Sequence, residues 1–337
     1  LHIDEACMSC NEPSKAMMHL CSDIVKCLKM FSLEEIIEIV KEAGISGMGG
    51  AAFPTHAKIS SAIGKAKDVI VNCAECEPYI TANHRLMLEE PERIVGGVKI
   101  LLKALSLDHA IFAIEDNKKD AAEKMCEHIA GEDGLEVALL KTKYPQGDER
   151  QLIYALKGIE LPAGKLPADV GCVIFNAETC DAIYHAVVDR MPLIARTVTI
   201  DGDCIAESKN LRIPLGTSYR DVIEYCGGIK GKLSKLINGG PMMGNTQWDL
   251  DGTVTKGTSA LLFFSDKYEK KAAPCCIHCG KCSRICTSDS CTLCGKCVEV
   301  CPLSLRKICG EEISSGALAQ ILLSHRDFYS ALGGGFT

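Results

Sequence analysis

The sequence predicts an α/β protein with a parallel α/β layer, a small α+β unit and a C-terminal cysteine module. Three observations predict it. Strand-like and helix-like segments alternate through the first half of the chain, the pattern of a parallel sheet covered by crossover helices. The texture changes to short strands and glycine-rich turns near residue 195. Eight of the 21 cysteines fall in two runs near the C-terminus.

Residues 1–30 are cysteine-rich and irregular. Residues 32–43 read as a helix: Ser32 is an N-cap, Glu35 completes a capping box, and Gly44 ends it. A glycine-rich loop follows at 44–52. Strand-like runs at 69–72, 110–114 and 137–141 are separated by helical patterns at 91–105 and 118–129. A helix over 149–157, a strand over 171–175 and a helix over 179–189 continue the layer. Residues 197–200 and 204–206 read as a hairpin turning at Asp201-Gly202-Asp203. A strand at 212–215, a helix at 218–226 and a glycine-rich stretch at 227–244 complete the α+β unit. Residues 267–273 form a charged linker, 274–302 the cysteine module, and 310–332 mainly a closing helix. The expected boundaries are therefore 1–30, 31–194, 195–266 and 267–337.

A length of 337 residues leaves room for two or three domains, and 47% hydrophobic content is enough for packed cores. A net charge of −7 excludes the basic footprint of a nucleic-acid binder. The chain has no uninterrupted apolar run of the roughly 18 residues a membrane span needs, and no signal peptide. Leu1 in place of methionine suggests a fragment or a processed product.

The first cysteine run is Cys276, Cys279, Cys282 and Cys286; the second is Cys291, Cys294, Cys297 and Cys301, followed by Pro302. Both read C-x2-C-x2-C-x3-C, the bacterial ferredoxin spacing for [4Fe–4S] clusters, in which the fourth cysteine ligates the neighbouring cluster. Zinc more often takes two C-x2-C pairs across a longer span. Cross-ligation is expected: Cys276, Cys279 and Cys282 with Cys301, and Cys291, Cys294 and Cys297 with Cys286. Only four residues separate Cys286 from Cys291, and Cys286 is followed by Thr287 rather than proline, which leaves the pairing open. Two adjacent clusters imply electron transfer. Beside them, the remaining cysteines imply a reducing cytoplasm rather than disulfides. Cys126, Cys172 and Cys226 sit in apolar patterns and read as small buried hydrophobes.

Two other segments carry chemistry. In the loop that starts at Gly44, Gly47, Gly49 and Gly50 allow backbone N–H groups to approach a phosphate, although a tight turn after a helix has the same composition. It is neither a Walker A loop nor a G-x-G-x-x-G fingerprint. Asn72, Glu75 and Glu77 follow a strand, where α/β sheets bind ligands, and are candidates to hydrogen-bond a flavin or a ribose. A solvated acidic turn is the alternative. Cys73-x2-Cys76 without a partner pair is half a zinc site.

Together these segments resemble the C subunit of the Rnf electron-transport complex, soluble relatives included, such as the electron-transfer protein that accompanies clostridial D-proline reductase. They are more distantly similar to the flavin-bearing NADH-dehydrogenase subunit of complex I. The resemblance rests on GISGMGGAAFPTH from Gly44, NCAECEPYIT from Asn72, HRLMLE from His84, YPQGDERQLI from Tyr144, LPAGKLPAD from Leu161, GGPMMG from Gly239, and the cysteine runs. It implies a Rossmann-like domain binding FMN and NADH, a β-grasp domain of SLBB type, and a ferredoxin-like domain with two [4Fe–4S] clusters. It places Gly47, Gly49, Gly50 and Lys58 around the FMN, and Asn72 and Glu75 on the flavin. Phe53 and Glu77 match nicotinamide-nucleotide positions. Tyr144, Gly147 and Glu149 match a further flavin-side segment, and Asn176 and Thr179 a phosphate-side one.

The implied activity is NADH-dependent oxidoreduction. A hydride passes to FMN and single electrons leave through the clusters to a partner, either a reductase or another protein of a complex. A flavin is suited to join two-electron and one-electron chemistry. The implied place is the cytoplasm or, through partner subunits, the inner face of the membrane. The chain departs from the family at Met48, where the complex I loop carries arginine, at Cys73, where the Rnf pattern has glycine, and at Asp148. At most a remnant of the family's N-terminal barrel-sandwich domain remains, around residues 1–5. Cys7, Cys10, Cys21 and Cys27 have no counterpart, and Cys7-x2-Cys10 reads as an incidental or a redox-active pair. Two alternatives follow: a carrier or scaffold that keeps clusters but binds neither FMN nor NADH, and a component of an Rnf membrane complex.

Overall fold

The computed structural model describes residues 29–268, 276–286, 294–308, 310, 312–324 and 326. The N-terminal cysteines, Cys291, the segment 287–290 and most of the linker 267–273 lie outside the described residues. The chain divides into two units, at Lys267 and Tyr268.

The first unit opens with α1 (Leu33–Glu42), on which Ser32 and Glu35 form the expected capping box. After the glycine loop come α2 (Thr55–Ala62), β1 (Asp68–Cys73), α3 (Ala82–Glu89) and α4 (Pro91–Leu105). Pro91 opens α4, where its missing N–H costs nothing. Then follow β2 (Ala110–Glu115), α5 (Lys119–Ile129), β3 (Leu135–Leu140), α6 (Glu149–Lys157), β4 (Cys172–Asn176) and α7 (Ala177–Val187). The four strands form one parallel sheet in the order β3-β2-β1-β4. Every residue of β2 is buried, as expected for an inner strand covered on both faces.

Alternation along the strands divides the core. Val69, Val71, Phe112, Ile114, Val173 and Phe175 join the larger cluster with α1, α4 and α7. Ile70, Ala113 and Ile174 pack on the other face, against Leu152 and Ile153 of α6. A Cβ at Gly97 of α4 would collide with the Cys180 carbonyl of α7, so glycine sets how closely these helices approach.

The second layer is a mixed sheet built from β5 (Ala195–Asp201), β6 (Lys209–Pro214), β7 (Lys235–Asn238), β8 (Asn245–Gln247) and β9 (Ala260–Phe264), in the order β6-β5-β9-β7-β8. The helix α8 (Tyr219–Tyr225) covers one face through Tyr219, Val222 and Ile223. The expected hairpin is corrected here. β5 pairs with 209–214, not with 204–206. Cys204 and Ile205 are drawn into the core instead, and Cys204 N–H donates to Phe263 O at 3.0 Å. The strand expected at 212–215 begins at Lys209, and α7 begins at Ala177 rather than 179.

The second unit, taken by itself, holds two one-turn helices, α9 (Lys281–Arg284) and α10 (Lys296–Glu299), and the longer α11 (Ser315–Ser324). Among the described residues no helix is long and apolar enough to cross a membrane.

Gly97→Ala is expected to cost about 1–3 kcal/mol, the usual penalty for overpacking a tight contact. Urea unfolding followed by circular dichroism measures it; an unchanged midpoint contradicts the close α4–α7 contact.

Candidate functional site

In the parallel sheet, β1 runs to β2 and β3 on one side while β4 lies on the other. The order reverses between β1 and β4, and crevices at the carboxyl ends of such strands bind ligands. Asn72 and Asn176 are register partners at those two ends. The glycine loop crosses above them: a Cβ at Gly49 would sit 3.7 Å from the Asn176 Cβ.

Local chemistry holds the loop in place. Gly47 N–H donates to Phe53 O at 2.8 Å, and Thr55 N–H to Ile45 O at 3.1 Å, so the loop closes on itself. Met48 N–H donates to the Thr179 hydroxyl at 3.0 Å. The N–H groups of Gly49 and Gly50 meet no acceptor among the described residues. Gly50 has φ 113°, a backbone few side chains tolerate, and a Cβ there would enter open space. The loop is therefore a bare backbone surface at the crevice. Asn176 caps α7, its Oδ1 accepting from Glu178 N–H at 3.0 Å, so the positive end of α7 opens beside the loop.

The opposite wall comes from residues 144–149. Asn72 Nδ2 donates to Gly147 O at 2.9 Å, and Gly147 N–H donates to Cys76 Sγ at 3.3 Å. A Cβ at Gly147 would sit 3.3 Å from that sulfur, so the wall packs closely here. Lys58 Nζ lies 2.5 Å from Glu149 Oε1 and 5.7 Å from the centre of the Phe175 ring. Phe53 and Tyr144 expose their rings. Desolvation, and then the charge of Glu77, raises the Tyr144 phenol above its ordinary value.

Eleven of the thirteen expected residues, Gly47, Gly49, Gly50, Phe53, Lys58, Asn72, Tyr144, Gly147, Glu149, Asn176 and Thr179, thus lie on the loop, the strand ends and the wall around them. The two acidic residues after β1 have partners within the chain. Glu75 accepts from Asn83 N–H at 2.7 Å and His84 N–H at 3.0 Å, capping α3, and burial lifts its pKa to about 7. Glu77 accepts from Met242 N–H at 2.9 Å and Met243 N–H at 2.8 Å. Both were expected on ligands; in the structure both carboxylates also accept backbone N–H groups.

The departures at 48, 73 and 148 also have local reasons. The Met48 side chain is buried behind the loop. Cys73 is fully buried, and burial pushes its thiol far up. Asp148 caps α6, accepting from Arg150 and Gln151 N–H at 3.0 and 3.2 Å.

Sequence reasoning missed a buried ion pair. Arg196 of β5 donates through Nη2 to Glu178 Oε2 at 2.8 Å and through Nε to Oε1 at 3.1 Å, and also to the carbonyls of Met48 and Lys256. Glu178 Oε1 further accepts Thr197 N–H at 2.6 Å. Glu178 lies between two motif residues, which was a signal; Arg196 carried none. Lys118 and Glu115 form a second buried pair, at 3.0 Å, and Lys118 also donates to Ala74 O at 2.8 Å.

In the second unit, Cys301 Sγ accepts Leu305 N–H at 3.3 Å, and Cys276 Sγ accepts His278 N–H at 3.4 Å. Hydrogen bonds from backbone N–H groups to Cys301 lower its thiol pKa, favouring the thiolate, the metal-ligating form of cysteine. Cys276, Cys279, Cys282, Cys297 and Cys301 are in no disulfide among the described residues. No three Cys, His, Asp or Glu side chains among the described residues converge on a single metal-ion position. A cubane distributes its four thiolates over separate iron corners, so soft, thiolate-disposed donors at this spacing fit it.

Comparison with known proteins places these features. The family model of the Nuo51 FMN-binding domain matches residues 40–185, and that of the SLBB domain residues 197–246. The chain is 47% identical over 261 residues to the C subunit of the proton-translocating ferredoxin:NAD(+) oxidoreductase complex of Clostridium ljungdahlii. It is 43% identical over 261 residues to the Na(+)-translocating counterpart of Acetobacterium woodii. Each match covers 77% of this chain but only 57% and 59% of those two proteins. The fold is also that of a chain of an NAD+-reducing [NiFe]-hydrogenase, with a TM-score of 0.61 at 21% identity, covering 72% of this chain and 50% of that one.

Arg196→Met leaves Glu178 charged, buried and unpaired, and is expected to cost about 3–5 kcal/mol. Denaturant unfolding measures it; a loss below about 1 kcal/mol contradicts the central place of the pair.

Proposed function

Since the chain belongs to the family of Rnf complex C subunits, we propose that it is a flavin- and iron–sulfur-dependent electron-transfer protein. It takes a hydride from NADH and delivers single electrons to a protein partner. The observation that carries this reading is the pairing of Asn72 with Asn176 at the switch point, with the glycine loop across them.

In this reading FMN occupies the crevice and supplies the conversion of a two-electron input to one-electron outputs. The chain supplies the cradle. The free N–H groups of Gly49 and Gly50, the end of α7 and the Lys58 ammonium suit a phosphate. Asn72, already held by Gly147 O, orients the ring system. The exposed rings of Phe53 and Tyr144 offer faces for a nicotinamide nucleotide. No side chain is needed as acid or base; the task of the protein is to hold the donor against the acceptor. Glu75 and Glu77 brace this cradle through the backbone N–H groups they accept.

In the same reading Cys276, Cys279, Cys282, Cys286, Cys291, Cys294, Cys297 and Cys301 hold two [4Fe–4S] clusters in a ferredoxin-like domain. The relatives are named as subunits of ion-translocating ferredoxin:NAD(+) oxidoreductase complexes. A partner of that kind, or a reductase that accepts single electrons, fits the chemistry at the cytoplasmic face. The departures that favoured a cluster-only carrier have structural roles of their own: Met48 and Cys73 are buried, and Asp148 caps α6.

The test is the cofactor content of protein purified without oxygen. One FMN and roughly eight iron per chain are expected. Gly49→Leu, which fills the crevice, and Asn72→Ala are each expected to lower bound FMN at least tenfold with the far-ultraviolet dichroism unchanged. Full flavin occupancy in both variants contradicts the site.

A further inference from the structure

The two cysteine runs are near-repeats. Cys279-Gly280-Lys281-Cys282 recurs fifteen residues later as Cys294-Gly295-Lys296-Cys297. The backbones match as well: Gly280 and Gly295 have φ 69° and 78°, and each begins a one-turn helix, α9 or α10. Two clusters held by such matched frames would have similar potentials unless their surroundings differ.

The surroundings differ in charge. Arg284 of α9 is matched in α10 by Glu299. Arg306 stands five residues after Cys301, and the position five residues after Cys286 is Cys291, so the first run lacks that arginine. Arg306 nevertheless acts on the first run: its Nη2 donates to Cys282 Sγ at 3.7 Å. Arg284 is held close by, its Nη2 donating to Cys279 O at 2.8 Å. The first run is therefore cationic where the second is balanced.

We propose that Arg306 separates the potentials of the two clusters by hydrogen-bonding Cys282, making the cluster on that ligand the easier one to reduce. The inference rests on the reading that these cysteines hold [4Fe–4S] clusters. Reduction adds one electron and one negative charge to a cluster; no bond is made or broken and no proton is required. A fixed cation and an N–H···S bond at a ligand sulfur both favour the reduced state. Arg306 is thus a positioning residue for charge, and it directs electrons toward the first run. Its exposure limits the effect by solvent screening.

The experiment is a dithionite titration of the full chain, wild type, R306Q and R306K, followed by EPR, after iron and sulfide have been counted. In R306Q one midpoint is expected to fall until its reduced-to-oxidised ratio at fixed potential drops threefold to tenfold, tenfold being about 59 mV for a one-electron couple. The other midpoint is expected to move less than twofold on the same scale, and R306K to shift the first in the same direction by less. R306Q with full iron and both midpoints unmoved overturns the inference. So does loss of iron from R306Q while R306K keeps both clusters at wild-type midpoints, which makes Arg306 a strut. If R306Q loses iron and R306K shows the lowered midpoint, the inference stands. Wild-type protein that binds no iron overturns the cluster reading and this inference with it.

Discussion

The placement of the crevice depends on one buried ion pair. Glu178 stands in the first turn of α7 and Arg196 in the first strand of the second sheet. Their bidentate contact joins the two layers at the point where the glycine loop must be held. Arg196 also takes the Met48 carbonyl while the neighbouring Thr179 takes the Met48 N–H. One residue of the loop is thus gripped at both ends, and the next two residues are left with bare N–H groups over Asn176. Buried charges are costly unless paired and fully hydrogen-bonded. Here the carboxylate accepts three bonds and the guanidinium reaches two carbonyls besides.

A second device carries the chain from one layer to the other. The strap leaving β1 gives Glu75 to the start of α3 and Glu77 to the backbone of residues 242 and 243. It then lays Tyr79 edge-on against Phe264, ring centroids 5.2 Å apart, and donates from Thr81 N–H to Thr199 Oγ1 at 3.1 Å. Residues that read as ligand contacts in a linear motif therefore also join the two layers. The close approach of Gly240 to Glu77, where a Cβ would overlap the carboxylate, ties the GGPMMG motif to the same task.

Much of this was legible because the signals were local. The capping box at Ser32, Pro91 at the start of α4 and the glutamate-to-lysine span of α6 all fall where the sequence puts them. The parallel layer followed from the alternation of strand and helix. The hairpin after 195 was misread because Cys204 and Ile205 look like a strand but serve a core contact. β9 is a continuous apolar run, ALLFF, buried on both faces, with no period to read. The gathering of Lys58, Asn72, Gly147 and Asn176 was legible only through family resemblance, since they lie far apart in sequence. The partners of Glu75, Glu77 and Arg196 are tertiary, and no local pattern announces them.

The cysteine runs gain meaning from the crevice. By themselves they imply one-electron traffic; in the proposed reading they are the route by which a two-electron donor, emptied at the flavin, passes on its electrons one at a time. The measurement that tests this most directly is an anaerobic NADH titration of the purified protein, followed by visible absorbance and EPR. The account predicts bleaching of a flavin band with the appearance of reduced-cluster signals as NADH is added. Flavin and clusters that are present, reducible by dithionite and unchanged by NADH would contradict it.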